Sequence, residues 1–121
     1  MTSQLRYEYG ASLIIDGVQY PYPRAQVAIN VDGAHAGGVV SVATTAAELP
    51  QTQVANPIAA IFTNLDETNF VDILSGDGGD IIARIPAGAS IPVLLDGSAA
   101  VWAQANTAAV DLFYQIFQAS A

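Results

Sequence analysis

Residues Ala105–Gln118, ANTAAVDLFYQIFQ, decide the fold class. From Val110 onward, Val110, Leu112, Tyr114 and Ile116 fall on one side of the chain. Asp111, Phe113, Gln115 and Phe117 fall on the other. A repeat of two is the period of a strand, whose successive side chains point to opposite faces. Two Phe and one Tyr suit a pleated surface. Ala108 and Ala109 leave an amphipathic helix open on periodicity alone, but the alternation favours a strand over 109–118.

Working back from this segment, short apolar runs alternate with turn residues. Val101–Ala105, Ser90–Leu95, Ile81–Ile85, Phe70–Leu74 and Ile58–Thr63 read as strands. Between them stand Asp96-Gly97, Pro86-Ala87-Gly88, the loop Gly76–Asp80 and an Asn-Leu-Asp-Glu-Thr-Asn turn. Pro presets φ for such a turn, and Gly accepts a positive φ two residues on. Phe70–Leu74 is expected to pair back on Ile58–Thr63.

The N-terminal half has the same rhythm. Leu5, Tyr7 and Tyr9 alternate with Arg6 and Glu8. Ser12–Ile15 and Val18–Tyr20 flank Asp16-Gly17, a hairpin signal because both turn positions need φ > 0. Pro21 and Pro23 make Pro21–Arg24 an edge or a bend. Arg24–Val31 alternates, the glycine-rich run Asp32–Gly38 reads as a flexible connection, and Val39–Thr45 as a further strand. Ala46–Pro57 reads as a long loop or edge excursion, with room for a helical turn near Ala46–Leu49. About nine strands at a spacing of about eight to twelve residues predict an all-β fold, a single antiparallel β-sandwich of jelly-roll-like form over residues 1–121. The expected core is Leu5, Val27, Ile29, Val42, Ile61, Val71, Ile73, Ile85, Val93, Leu95, Leu112, Tyr114 and Ile116, with Trp102 at the rim or at a subunit contact.

Composition narrows the function. The 121 residues fit one domain able to bury roughly 65% of its unfolded surface. Only 12% are charged against 52% apolar, which suggests surface covered by other subunits. The net charge of −8 comes from eleven acids against Arg6, Arg24 and Arg84. Such a body repels phosphate backbones and anionic membrane surfaces, so neither nucleic acid nor membrane is an expected partner. With no Cys, stability rests on neither disulfides nor Cys-bound metal. MTSQLRYEYG lacks a basic segment followed by an apolar run, and no stretch approaches a membrane span. The expectation is a soluble chain without a cleaved signal.

Chemistry-bearing patterns are sparse. Gly76-Asp77-Gly78-Gly79-Asp80, with Asp72 and Asp66 or Glu67, loosely matches a calcium turn, but it occurs once and reads as a hairpin loop. His35, three residues after Asp32, has no nucleophile elbow to serve. The carboxylates are scattered and lack a Trp-rich sugar platform. There is no Lys, hence no phosphate loop. No catalytic residue, cofactor or metal is therefore expected. The candidate interface residues are Tyr7, Tyr9, Tyr20, Tyr22 and Trp102, because aromatics anchor interface cores.

Three segments, FTNLDETNFVDI (62–73), RIPAGASIPVLL (84–95) and VWAQANTAAVDLFYQIF (101–117), carry a resemblance. Over Phe62–Leu74 and Ile81–Phe117, about half its length, the chain resembles small virion proteins of tailed bacteriophages. It departs from them at Ala89, where an acid often follows the Pro-x-Gly turn. The resemblance implies a non-enzymatic virion component. That would be a capsid decoration or cement protein first, and a tail or baseplate module binding a receptor or a neighbouring tail protein second. Its implied partners are the major capsid protein or neighbouring virion proteins, with a homo-oligomer, dimer or trimer, as the docking form.

Overall fold

The computed structural model of the chain describes residues 3–21, 25–95, 97 and 100–119. Among them are eleven strands: β1 (Ser3–Tyr9), β2 (Ser12–Ile15), β3 (Val18–Pro21), β4 (Ala25–Val42), β5 (Ala47–Glu48), β6 (Pro57–Asn64), β7 (Val71–Leu74), β8 (Ile81–Ile85), β9 (Ser90–Leu94), β10 (Trp102–Ala105) and β11 (Val110–Ala119). A five-stranded sheet runs β1-β4-β11-β6-β9, and a four-stranded sheet runs β5-β10-β7-β8. The strands β2 and β3 form a hairpin of their own. Every pairing is antiparallel. The two larger sheets curl into a half-barrel, an all-β, sandwich-like fold.

β11 is a strand, held between β4 and β6. Val110, Leu112, Tyr114 and Ile116 are buried, as the alternation predicts, while Asp111 is exposed. Asp16 (φ 51°) and Gly17 (φ 80°) make the expected hairpin turn between β2 and β3. At Pro86-Ala87-Gly88, the Ala89 amide donates to the Pro86 carbonyl at 3.1 Å and Gly88 has φ 74°.

The glycine-rich run Asp32–Gly38 is not a connection. It lies inside β4, which continues for 18 residues. One of these glycines, Gly37, serves a close approach of backbones. A Cβ at Gly37 would stand 2.6 Å from the Tyr114 carbonyl oxygen of the neighbouring strand. Irregular pairing near Asp32 and Gly33 accompanies this. Register with β11 shifts between Phe117 and Ala119, and the buried face passes from odd positions (Val31) to even ones (Ala36, Val42). The half of β4 before the shift pairs with β1 and the half after it with β11, while Val31 lies across from both Ser3 and Ala119.

Two further expectations are corrected. β7 does not pair back on β6. It joins the other sheet, between β10 and β8, so the turn after Asn64 crosses from one sheet to the other. Ala46–Pro57 makes the expected edge excursion, with the short strand β5 at the border of the smaller sheet, but holds no helical turn at Ala46–Leu49. Pro21 closes β3, and the rest of the expected Pro21–Arg24 bend lies outside the described residues.

The core gathers Phe62, Ile73, Ile85, Leu112, Ile116, Val71, Val101 and Val110, all essentially inaccessible. Burying a side chain of this size stabilises by about 1.5–3 kcal/mol. Of the expected core, Val42, Val71, Ile73, Ile85, Leu112, Tyr114 and Ile116 belong to it, with Val93 and Leu95 half-buried against it. Ile61 does not, because β6 turns Ala60, Phe62 and Asn64 inward. Leu5, Val27 and Ile29 are half-buried and outside the cluster, since they lie where β1 pairs with the first half of β4.

Candidate assembly surface

Two buried amides organise the body. The Asn64 side-chain amide donates to the carbonyls of Asn69 (2.9 Å) and Ile85 (3.0 Å). Its oxygen accepts from the Asp66 amide at 2.9 Å. Asp66 in turn accepts from the amides of Asn69 (2.7 Å) and Thr68 (3.0 Å). Those bonds, Asn69 first, hold its carboxyl below the usual range. Gln51 donates to the carbonyls of Leu49 and Val101, both at 2.8 Å, and accepts from the Val101 amide at 3.2 Å. It thereby fastens the segment after β5 to the start of β10.

The residues weighed for chemistry are engaged separately. Asp72 is buried and takes Nε and Nη2 of Arg84 at 2.7 and 3.0 Å. The guanidinium lies 4.1 Å from the centre of the Phe70 ring, and its carboxylate partner raises its pKa. Asp32 accepts from Gln118 at 3.0 Å, and His35 Nδ1 lies 3.2 Å from the Gly33 carbonyl. Among the described residues no three His, Asp or Glu side chains group as a metal site. The Gly76–Asp80 loop closes the β7–β8 hairpin, with the Ser75 amide bonded to the Asp80 carbonyl. A cleft of about 370 Å³ lies beside Glu48, Pro50, Gln51 and Ala100, and a smaller apolar one of about 220 Å³ beside Ile82, Leu94 and Val101.

The N-terminal arm has a different character. On the hairpin, Leu13, Ile14, Ile15 and Val18 are 43%, 67%, 50% and 53% exposed. Register places Leu13 across from Tyr20 and Ile15 across from Val18, with Ile14 across from Gln19. Apolar side chains therefore stand on both faces of a two-stranded sheet that, among the described residues, pairs with no other strand. An isolated hairpin has too little core to hold such groups out of water. Charge is divided in the same way. Residues 1–33 hold Arg6 and Arg24 against Glu8, Asp16 and Asp32, a net of −1, and residues 34–121 carry the remaining −7 of the chain's −8.

Of the candidate aromatics, Tyr7 is half-buried on β1, across from Val27. Tyr9 and Tyr20 lie in β1 and β3, their side chains outside the description, and Tyr22 lies outside the described residues. Trp102 is half-buried on β10, across from Leu74 and Glu48, with Ala103 and Ala105 taking the buried face. The four in described strands are thus not one strand's patch: Tyr7 and Tyr9 are on the larger sheet, Tyr20 on the hairpin and Trp102 on the smaller sheet. Leu13, Ile14, Ile15 and Val18 were not singled out from sequence. The signal was three consecutive apolar residues before Asp16-Gly17, which no strand with one wet face should carry. Comparison with family models, with curated proteins and with solved structures gave no match.

Proposed function

We propose that this chain is a non-catalytic assembly protein that docks through its N-terminal arm, and that its setting is the virion of a tailed bacteriophage, as a capsid decoration or cement protein. The observation that carries the assembly reading is the hairpin: four aliphatic side chains in water on an almost neutral arm, attached to a body of charge −7. Fully burying one such side chain against a partner gains about 1.5–3 kcal/mol. Docking would reinforce the shell by mass action, adding interface area between neighbouring subunits without a covalent step. The capsid setting is supported by the resemblance over Phe62–Leu74 and Ile81–Phe117. A jelly-roll-like closure of the half-barrel, the finer form of the fold expected from sequence, suits the same role.

The test is addition of the purified chain to phage heads that lack it. Binding with a raised head melting temperature is the expected result. Ile14→Ser with Val18→Ser, placed on a hairpin that pairs with no other strand, should leave the chain's own Tm within about 1 °C and weaken binding by about tenfold or more. Failure of the unaltered chain to bind heads overturns the capsid reading. The tail or baseplate reading has one observation of its own, the partly exposed Trp102 on the smaller sheet. Quenching of its fluorescence by a host polysaccharide would favour that reading instead.

A further inference from the structure

The outer face of the five-stranded sheet carries no charge over three rows of residues. Register aligns these rows across β4, β11, β6 and β9. Phe113 lies between Val39 and Thr63, Gln115 between Gly37 and Ile61, and Phe117 between His35 and Ala59. β9 extends the rows with Ser90, Pro92 and Leu94. Alternation sets them opposite the core, because their neighbours Leu112, Tyr114 and Ile116 on β11 point inward and are buried. Val39 and Leu94, at opposite corners, are 63% and 61% exposed. Phe113, Phe117 and Ile61 between them are half-buried and stand outside the core cluster. An antiparallel sheet with one face in water normally carries polar residues there. Here the polar groups are few, and the Thr63 and Ser90 hydroxyls are bonded to each other at 2.8 Å. The acids Asp111 and Asp32 are exposed and lie beyond the rows, on β11 and β4. An uncharged centre with a charged rim is the anatomy of an interface.

The pattern on β11 says what covers it. Its outward residues Phe113, Gln115 and Phe117 read the same from either end. In face-to-face packing about a two-fold axis that crosses the strands at Gln115, Phe113 of one copy meets Phe117 of the other. Ile61 and Gln115 each meet their own counterpart. Among the described residues the Gln115 amide has no hydrogen-bond partner. An amide holds both donors and an acceptor, so two of them satisfy each other, whereas a wholly apolar partner would strand it.

The face is also large enough. Four strands about 4.8 Å apart, and three rows of two residues at about 3.4 Å per residue, give about 19 by 20 Å. That is about 400 Å² in plan on each copy and about 800 Å² for two, to which the relief of the protruding side chains adds, and specific interfaces begin near about 1,000 Å². The size is that of a reversible dimer.

We propose that this outer face is the interface of a two-fold dimer, in which β4, β11, β6 and β9 of two copies pack face to face with Gln115 at the centre. The dimer goes beyond the docking reading, since it uses a face other than the hairpin and leaves the hairpin for the shell.

Sedimentation velocity over a concentration series up to about 0.1 mM tests it, with Gln115→Glu, Gln115→Lys and Val39→Asp. Across from Gln115 stand Gly37 and Ile61, so neither new charge meets another across the strands of its own chain. The unaltered chain should sediment as a dimer at the top of the series. Gln115→Glu and Gln115→Lys each bring like charges together at the axis and should dimerise at least about tenfold more weakly. An equimolar mixture of the two should recover the dimer, because the mixed pair sets opposite charges together. Val39→Asp, at a corner already in water, should also weaken the dimer with an unchanged circular dichroism spectrum. It keeps the test decisive if a change at Gln115 disturbs folding. Ile14→Ser/Val18→Ser should dimerise as the unaltered chain does. A monomer throughout, a dimer indifferent to the Gln115 and Val39 changes, a mixture of folded Gln115 variants that stays monomeric, or loss of the dimer in the hairpin variant would each overturn the inference. Head binding is read separately, so failure of the dimer and failure of the docking reading are distinguishable.

Discussion

Arg84 grips Asp72 across the β7–β8 pair with two bonds of 2.7 and 3.0 Å, and the two residues are register partners. The pair is asymmetric: the Arg84 side chain is 54% exposed and that of Asp72 only 13%. The bridge itself is therefore screened, but Asp72 depends on it to satisfy a carboxylate largely withdrawn from water. Arg84→Met should lower Tm, and Asp72→Asn in the Arg84→Met background should restore part of the loss by removing the stranded charge. Thermal melts of the two variants check this.

Tyr114 closes the core beneath the segment after β5, its hydroxyl donating to the Pro50 carbonyl at 2.7 Å. Tyr114→Phe should cost about 1 kcal/mol in urea unfolding, the value of one such bond. Burial raises the Tyr114 pKa above its ordinary 10.0. The folded state thus keeps its phenolic proton longer than the unfolded state, and stability falls as pH rises above about 10. The variant should lose that part of the alkaline decline.

Asn64 serves three partners at the crossing between the sheets, and no apolar residue can replace them. Asn64→Leu should destabilise by about 3 kcal/mol or more, because two carbonyls and an amide lose their partner. The neighbouring Asp66 supplies a pH signature. Its folded pKa is depressed below 3.8, so its contribution is present above that pH and is lost as pH falls through the folded value. Asp66→Ala should flatten the acid limb of the stability curve below about pH 4, with little change in its slope between about pH 5 and 8.

Gly37 is a point of close approach between β4 and β11. Gly37→Ala would set a methyl 2.6 Å from the Tyr114 carbonyl oxygen, a backbone atom that cannot turn aside. A loss of about 2 kcal/mol is expected in denaturant unfolding. Gly33→Ala, four residues earlier with open space at that position, should change stability by less than about 1 kcal/mol.

What sequence made legible was local. The alternation of β11, the Asp16-Gly17 turn and the Pro86-Ala87-Gly88 turn are properties of a few neighbouring residues, and each was readable. The run Asp32–Gly38 misled because a glycine needed for close packing against Tyr114 looks the same in sequence as a glycine in a loop. The crossing after Asn64 was hidden because hairpins and sheet crossings use the same turn residues, and only distant partners, here Ile85, distinguish them. Ile61 and Phe62 are both apolar, so sequence could not say which faces inward. On the arm, Tyr7 was named for its aromatic ring. The aliphatic run Leu13–Ile15 gains meaning only once the hairpin is known to stand apart.

The most direct test of the assembly reading is immunogold electron microscopy of particles from the source lysate, with antibody raised against this chain. Label spread over phage heads is the predicted result. Label confined to tails would contradict the capsid setting, and particles without label would contradict the virion role altogether.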